Sequence, residues 1–178
     1  RFAVLLKAAQ QLEAAATGEG KVLLTNTLEV LPHVYAFPEE HGFVTEEIAQ
    51  FTQNQYVKEI YQTIDLLRQG KNIGSALQLS LPEEAIAVVK QQYADWQNKY
   101  KAGTLDIEQQ AIWVNLKPYV EVALVLTQQY AAVVANPPYM GQKSMNGELK
   151  SYLDKNYPKS KSDLFAVFME KMMDMVKD

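Results

Sequence analysis

The sequence predicts an α/β chain that is strongly α-rich. Three observations carry this: short apolar runs at residues 21–25 and 131–135 with the composition of buried strands; a long stretch between them, about 45 to 127, whose apolar residues recur every three or four positions; and helix-forming segments at both ends. With 178 residues, 48% of them hydrophobic and 21% charged, the chain has the makeup of a globular protein with its own core. Cysteine is absent, so neither disulfides nor thiolate chemistry enter. No apolar run approaches the eighteen or so residues of a membrane span, and His33 and His41 are too isolated to promise a metal site. A cytoplasmic protein with neither metal nor membrane partner is expected.

The elements follow in order. Residues 2–16, rich in alanine and leucine, read as a helix ended by Thr17-Gly18-Glu19-Gly20. Lys21 to Thr25 reads as a short strand leading into Asn26. The Gly-x-Gly at 18–20 reads as a turn, because a phosphate-cradling loop should follow a strand and open a helix, and this one does the reverse. Prolines and a glycine mark Pro32 to Phe43 as an irregular crossing. Tyr56, Ile60, Ile64 and Leu67 then recur at helical spacing until Gly70. Ser80-Leu81-Pro82-Glu83 opens another helix with a capping-box pattern and an early proline. Its stripe of Ile86, Val89, Tyr93, Trp96 and Tyr100 closes at Gly103 and reads as helix core rather than as a base-stacking platform. A helix is expected from Asp106 to Leu116, with Pro118 starting or kinking the next one through Val122 and Leu126. After the second apolar run come a connector containing Gly141, a helix over Gly147 to Asn156, a loop at Pro158, and a last helix from Asp163 to Val176 with Ser162 as its N-cap. Met169, Met172, Met173 and Met175 on that helix are expected to pack against neighbours. Both ends fall inside helical patterns, and the chain is expected to be an internal piece of a longer protein.

Residues 133–139, Val-Val-Ala-Asn-Pro-Pro-Tyr, carry the chemistry. The apolar run suits a strand, and the two prolines end it, since each lacks a backbone N–H and fixes φ near −65°. Asn136 and Pro137 each precede a proline and are held extended, which leaves the Pro137 carbonyl without a local donor. The Asn136 side chain adds a second carbonyl acceptor. Two acceptors at a strand end, beside the flat face of Tyr139, can grip a planar –NH₂ group whose ring stacks on the phenol.

This heptapeptide resembles the Asn-Pro-Pro-Tyr motif of S-adenosylmethionine-dependent amino-methyltransferases. Residues 136–170, from Asn-Pro-Pro-Tyr-Met-Gly-Gln-Lys-Ser through Lys-Ser-Asp-Leu-Phe-Ala-Val-Phe-Met-Glu, resemble a narrower group: the adenine-specific DNA methyltransferases of large single-chain restriction-modification and BREX phage-defence systems. The likeness thins upstream, over residues 1–37. It implies a partial Rossmann-like methyltransferase core, at 1–44 and 128–178, with an inserted helical bundle at 45–127. It also implies that Asn136 and Pro137 accept hydrogen bonds from the amine of a flipped adenine while Tyr139 stacks on the base. Asn26 matches by position a residue near the cofactor's adenine, and Asp163-Leu164-Phe165 resembles a motif at a helix start that walls the pocket, giving Asp163 and Phe165 cofactor roles. The glycine-rich cofactor loop and the ribose-binding acid of relatives are not found in this sequence. The chain alone is therefore expected to lack half of the S-adenosylmethionine site and to be inactive.

The net charge of −4 argues against nucleic-acid binding over the whole surface. Between residues 143 and 161, however, five lysines (Lys143, Lys150, Lys155, Lys159 and Lys161) face two acids, Glu148 and Asp154, with Tyr152 and Tyr157 interleaved. By charge alone this is a solvated helix and loop; directly after a base-gripping motif it is a candidate surface for the phosphates of double-stranded DNA. Two rival readings stand beside this one. A protein glutamine methyltransferase meets the same amide problem with the same four residues, but in a more compact domain than one with Asn26 and Asn136 so far apart. A non-catalytic helical binding module would use the motif as a turn.

Overall fold

The computed structural model describes residues 33–177. The expected helix at 2–16, the Gly-x-Gly turn, the strand at 21–25 and Asn26 lie outside the described residues. The chain divides into two units, Arg1–Ala36 and Phe37–Asp178. All the described helices belong to the second unit.

Seven α-helices are described there: α1 (Thr45–Thr52), α2 (Val57–Leu67), the single turn α3 (Gly70–Ile73), α4 (Glu83–Ala102), α5 (Ile107–Leu126), α6 (Gly147–Asn156) and α7 (Leu164–Met175). Short 3₁₀ turns follow α3 at Gly74–Ala76 and precede α6 at Gln142–Ser144. α1 packs on α2 and α4, α5 packs on α2 and α4, and α3 packs on α6.

The apolar stripes meet in one core. Ile60, Ile64 and Leu67 of α2 are buried, as are Val89 and Trp96 of α4. At the centre the Trp96 and Trp113 rings lie 6.1 Å apart, with Phe51 edge-on to Trp96 at 5.6 Å and Tyr93 tilted against Trp113 at 5.4 Å. Aromatic side chains of this kind bury about 150–250 Å² each, so Val89, Tyr93 and Trp96 of the α4 stripe belong to the core, while Tyr100 at its end is 44% exposed.

Three helix boundaries differ from expectation. Ser80 does not cap α4; the N-cap is Pro82, extended at φ −56° and ψ 148°, and the helix begins at Glu83. The ring of Pro82 fixes the backbone at the entry, and no side chain caps the first turn. Residues 106–126 form one helix rather than two, capped by Asp106, whose carboxylate accepts from Gln109 N at 2.8 Å while the Gln109 side chain reaches back to Asp106 N. Pro118 lies inside it and removes one bond, to the carbonyl of Val114. Val114 is 56% exposed, so water reaches that carbonyl, while burial of Leu116, Tyr119, Val120 and Val122 on the other face outweighs a cost of about 3 kcal/mol. The last helix is capped by Asp163 rather than Ser162, its carboxylate accepting from Phe165 N at 2.8 Å.

The run at 131–135 is the main correction to the sequence reading. It is not a buried strand: Val134 is 87% exposed, and among the described residues the run belongs to no sheet. A strand needs a neighbour to receive its backbone groups, and the expected companion at 21–25 is not described. One parallel bridge survives at its start. Tyr130 pairs with Val176, donating from its N to Met175 O at 2.8 Å and accepting from Lys177 N at 2.9 Å. Parallel partners need a long crossover, and here α6 and α7 supply it. The methionines of α7 are also less buried than expected, with Met173 78% exposed, because their face lies against the same unpaired run.

Candidate active site

The extended run and α7 lie side by side and are tied at both ends. At the C-terminal end of α7 the tie is the Tyr130 pairing. At its N-terminal end Leu164 N donates to Met140 O at 3.1 Å, Gln142 N donates to Ser162 O at 3.0 Å, and Gly141 forms an antiparallel bridge with Asp163. Asn136 to Tyr139 form the loop that directly precedes Met140, whose carbonyl accepts from the first N–H of α7.

The loop presents its side chains to solvent. Asn136 and Pro138 are exposed, Tyr139 is 93% exposed, and Pro137 between them is buried and anchors the turn. Between Tyr130 and Met140 no backbone hydrogen bond is made with another described residue. Asn136 and Tyr139, exposed on either side of the two prolines, leave a side-chain carbonyl free to accept from an amine and a ring free for stacking.

Asp163 sits at the N-terminus of α7, one bridge from Gly141, and Phe165 beside it is exposed. The structure ties Met140 and Gly141, which directly follow Tyr139, to Leu164 and Asp163 at the start of α7. It does not gather the lysines into that turn. Lys143, Lys150, Lys155 and Lys159 are exposed along the segment that comes after it, while Lys161 forms an ion pair with Asp154 at 3.0 Å. The interleaved tyrosines point inward. Tyr157 is fully buried and donates from its hydroxyl to Ala76 O at 2.7 Å; Tyr152 is half-buried and accepts from Gln78 N at 2.8 Å. Burial pushes both phenols above their ordinary range.

One charged group escaped the sequence reading. Lys171 of α7 is 7% exposed, and loss of hydration lowers its pKa, with Asp174 acting in the opposite direction. Its spacing from Leu164 and Val167, both buried, places it on the inner face of α7. It lines a groove of about 920 Å³ with Gln78, Lys90 and Lys177, at the C-terminal end of α7. Among the described residues no cluster of His, Asp or Glu is placed to hold a metal ion, and no helix is long and apolar enough to cross a membrane.

Comparison with known proteins decides the family. The model of the Eco57I restriction-modification methylase family matches residues 44–178. The chain belongs to the Eco57I restriction-modification methylase family. Among curated members it is similar to adenine-specific methyltransferase BrxX of Escherichia coli O9:H4 (strain HS), at 41% identity over 128 residues, covering 71% of this chain and 10% of that protein. It is also similar to adenine-specific methyltransferase PglX of Lacticaseibacillus casei (strain Zhang), at 46% identity over 63 residues, covering 35% of this chain and 5% of that protein. The chain thus spans about a tenth or less of the length of the curated relatives it matches. Both the family match and the exposed motif turn fall within the helix-rich second unit.

Proposed function

We propose that the protein carrying this chain transfers a methyl group from S-adenosylmethionine to the exocyclic amine of an adenine flipped out of double-stranded DNA, in restriction-modification or phage defence. The observation that carries this reading is the exposed Asn136 and Tyr139 around two prolines, next to the bond that joins Met140 to the start of α7, in a chain of the Eco57I methylase family. Residues 1–44 and 128–178 are then parts of a Rossmann-like core. The helices between 45 and 127 are an insertion in it. The parallel pairing of Tyr130 with Val176 across a helical crossover supports such a core.

An adenine in duplex DNA hides its amine, so the base has to leave the stack before the amine can react. Tyr139, exposed and beside two acceptors, receives its face. The amine lone pair is delocalised into the ring. The Asn136 side-chain oxygen and the Pro137 carbonyl, placed for a tetrahedral nitrogen, favour the geometry that develops during transfer, which is stabilisation specific to the transition state. Proline-fixed backbone sets both acceptors in advance. The exposed ring of Phe165 beside Asp163 fits one wall of a cofactor pocket, and S-adenosylmethionine supplies the methyl group when bound. Lys143, Lys150, Lys155 and Lys159 lie on the segment after the turn, where they contact DNA phosphates.

Asn136→Ala in the full-length protein is the test, read by methylation of plasmid DNA and of a glutamine-containing protein. The expected result is loss of adenine methylation with little loss of DNA affinity, since the acceptor acts mainly in the transition state. Normal adenine methylation by this variant, or transfer to glutamine by the unaltered protein, overturns the reading.

A further inference from the structure

We infer that Asp163 is a positioning residue for the Asn136–Tyr139 turn. This rests on the reading of that turn as the methyl-acceptor site, and it assigns the Asp163 carboxylate to the helix rather than to the cofactor.

The first N–H groups of an α-helix have no partner within the helix. In α7 two of them are accounted for. Leu164 N donates to Met140 O at 3.1 Å, and Phe165 N donates to the Asp163 carboxylate at 2.8 Å. Met140 directly follows Tyr139, so the bond from Leu164 fixes the trailing end of the turn. The Asp163 backbone joins in on both sides: its N donates to Ser160 O at 3.2 Å, and its carbonyl accepts from Val167 N at 3.1 Å. Asp163 also forms the bridge with Gly141. Its side chain thus closes the first turn of the helix whose leading N–H holds the loop.

Besides the bond from Leu164, the turn is held by the buried Pro137 and, just beyond it, by Gln142 N donating to Ser162 O at 3.0 Å; its leading end is six residues from the Tyr130 pairing, and its Asn136 and Tyr139 side chains face solvent. When the cap is lost the first turn of α7 frays, Leu164 N moves, and Met140 with Tyr139 moves with it. The ring then no longer sits where the base must stack relative to the two acceptors. Catalysis is sensitive to displacements of this order, because misplacement by about 1 Å can cost on the order of a hundredfold in rate.

The experiment compares Asp163→Ala, Asp163→Asn and Asp163→Ser in the full-length protein. It reads kcat for adenine methylation, KM for S-adenosylmethionine, and cofactor affinity by calorimetry. Asn and Ser both cap helices, and Ala does not. Asp163→Ala is expected to lower kcat on the order of tenfold to a hundredfold with KM for the cofactor nearly unchanged, and Asn and Ser are expected to restore most of the rate. Equal loss of cofactor affinity in all three variants makes the carboxylate a cofactor ligand and overturns the inference. So does a wild-type rate in Asp163→Ala. If the Ala variant does not fold, the pair Asn and Ser decides: rates close to wild type support positioning, and a weakened cofactor affinity in both refutes it. The unaltered protein is assayed first. Its failure to methylate adenine removes the underlying reading, whereas normal activity combined with an overturning variant removes only the role given to Asp163.

Discussion

The hydroxyl of Tyr157 donates to the carbonyl of Ala76 at 2.7 Å, joining the end of α6 to a 3₁₀ turn 81 residues earlier in the chain. Both residues are fully buried. Tyr157→Phe leaves that carbonyl without a donor in a place water does not reach, at an expected cost of about 1–3 kcal/mol. Urea unfolding monitored by circular dichroism measures it, and a variant as stable as the parent would show that the bond contributes nothing net.

The same phenol makes stability depend on alkaline pH. Burial raises the Tyr157 pKa above the ordinary 10.0, with Tyr152, Asp174 and Glu170 adding in the same direction. In the unfolded chain the group ionises near 10, while in the folded chain it keeps its proton to higher pH. The folded state therefore binds more protons above pH 10, and stability falls as pH rises beyond that point. Melting curves between pH 9 and 11 should show a decline that is shallower in Tyr157→Phe.

Gly70 opens α3 against the ring of Phe37. A Cβ added there would overlap the Phe37 ring at its Cδ1, Cγ and Cε1 atoms. Phe37 is packed on the core, so Gly70→Ala must push the ring aside. Overpacking of this kind typically costs about 1–3 kcal/mol. Restoration of stability in the double variant Gly70→Ala, Phe37→Leu would confirm the ring as the source.

Base capture and backbone contact should separate by residue in the full-length protein. Tyr139→Ala is expected to weaken binding of DNA with an extrudable target base by roughly 1–3 kcal/mol, the range for stacking on an aromatic ring. Replacing Lys143, Lys150, Lys155 or Lys159 should lower affinity for every sequence and reduce the salt slope by about one for each phosphate no longer neutralised. Lys161 is already paired with Asp154, so its replacement should do less. Fluorescence anisotropy across a salt series distinguishes these outcomes, and equal effects at Lys161 and Lys155 would count against the assignment.

Calorimetry on the 178-residue chain alone should detect little or no S-adenosylmethionine binding, because the glycine-rich cofactor loop of relatives is not found in this sequence. Micromolar binding by this chain would mean that the pocket is built from other residues.

The helices between Thr45 and Leu126 were legible because Ile60, Ile64 and Leu67, or Val89 and Trp96, recur at the spacing that lines one helix face. The irregular backbone at Pro137 and Pro138 was legible because each proline lacks a backbone N–H and has a fixed φ. What failed depends on distant groups. Pro118 obeys a local rule until the core on the other face of α5 overrides it. Tyr152 and Tyr157 read as surface among lysines, although Leu149, Leu153 and Tyr157, at steps of four, mark the buried face. Lys171 was hidden by its charge in the same way, behind Leu164 and Val167. Whether residues 131–135 pair into a sheet depends on strands elsewhere, and no local pattern reports that.

Residues 37–43 have no regular secondary structure, yet side chains from distant helices hold them. The Tyr119 hydroxyl donates to Glu39 O at 2.6 Å and accepts from His41 N at 3.0 Å, Arg68 pairs with Glu40, and Lys71 pairs with Glu39. Tyr119 is itself buried in the middle of α5. The His41 amide is bonded to a buried side chain of α5, so it should exchange its proton for deuterium more slowly than a loop amide left to water, and a protease should cut this stretch more slowly than an unheld loop of the same length.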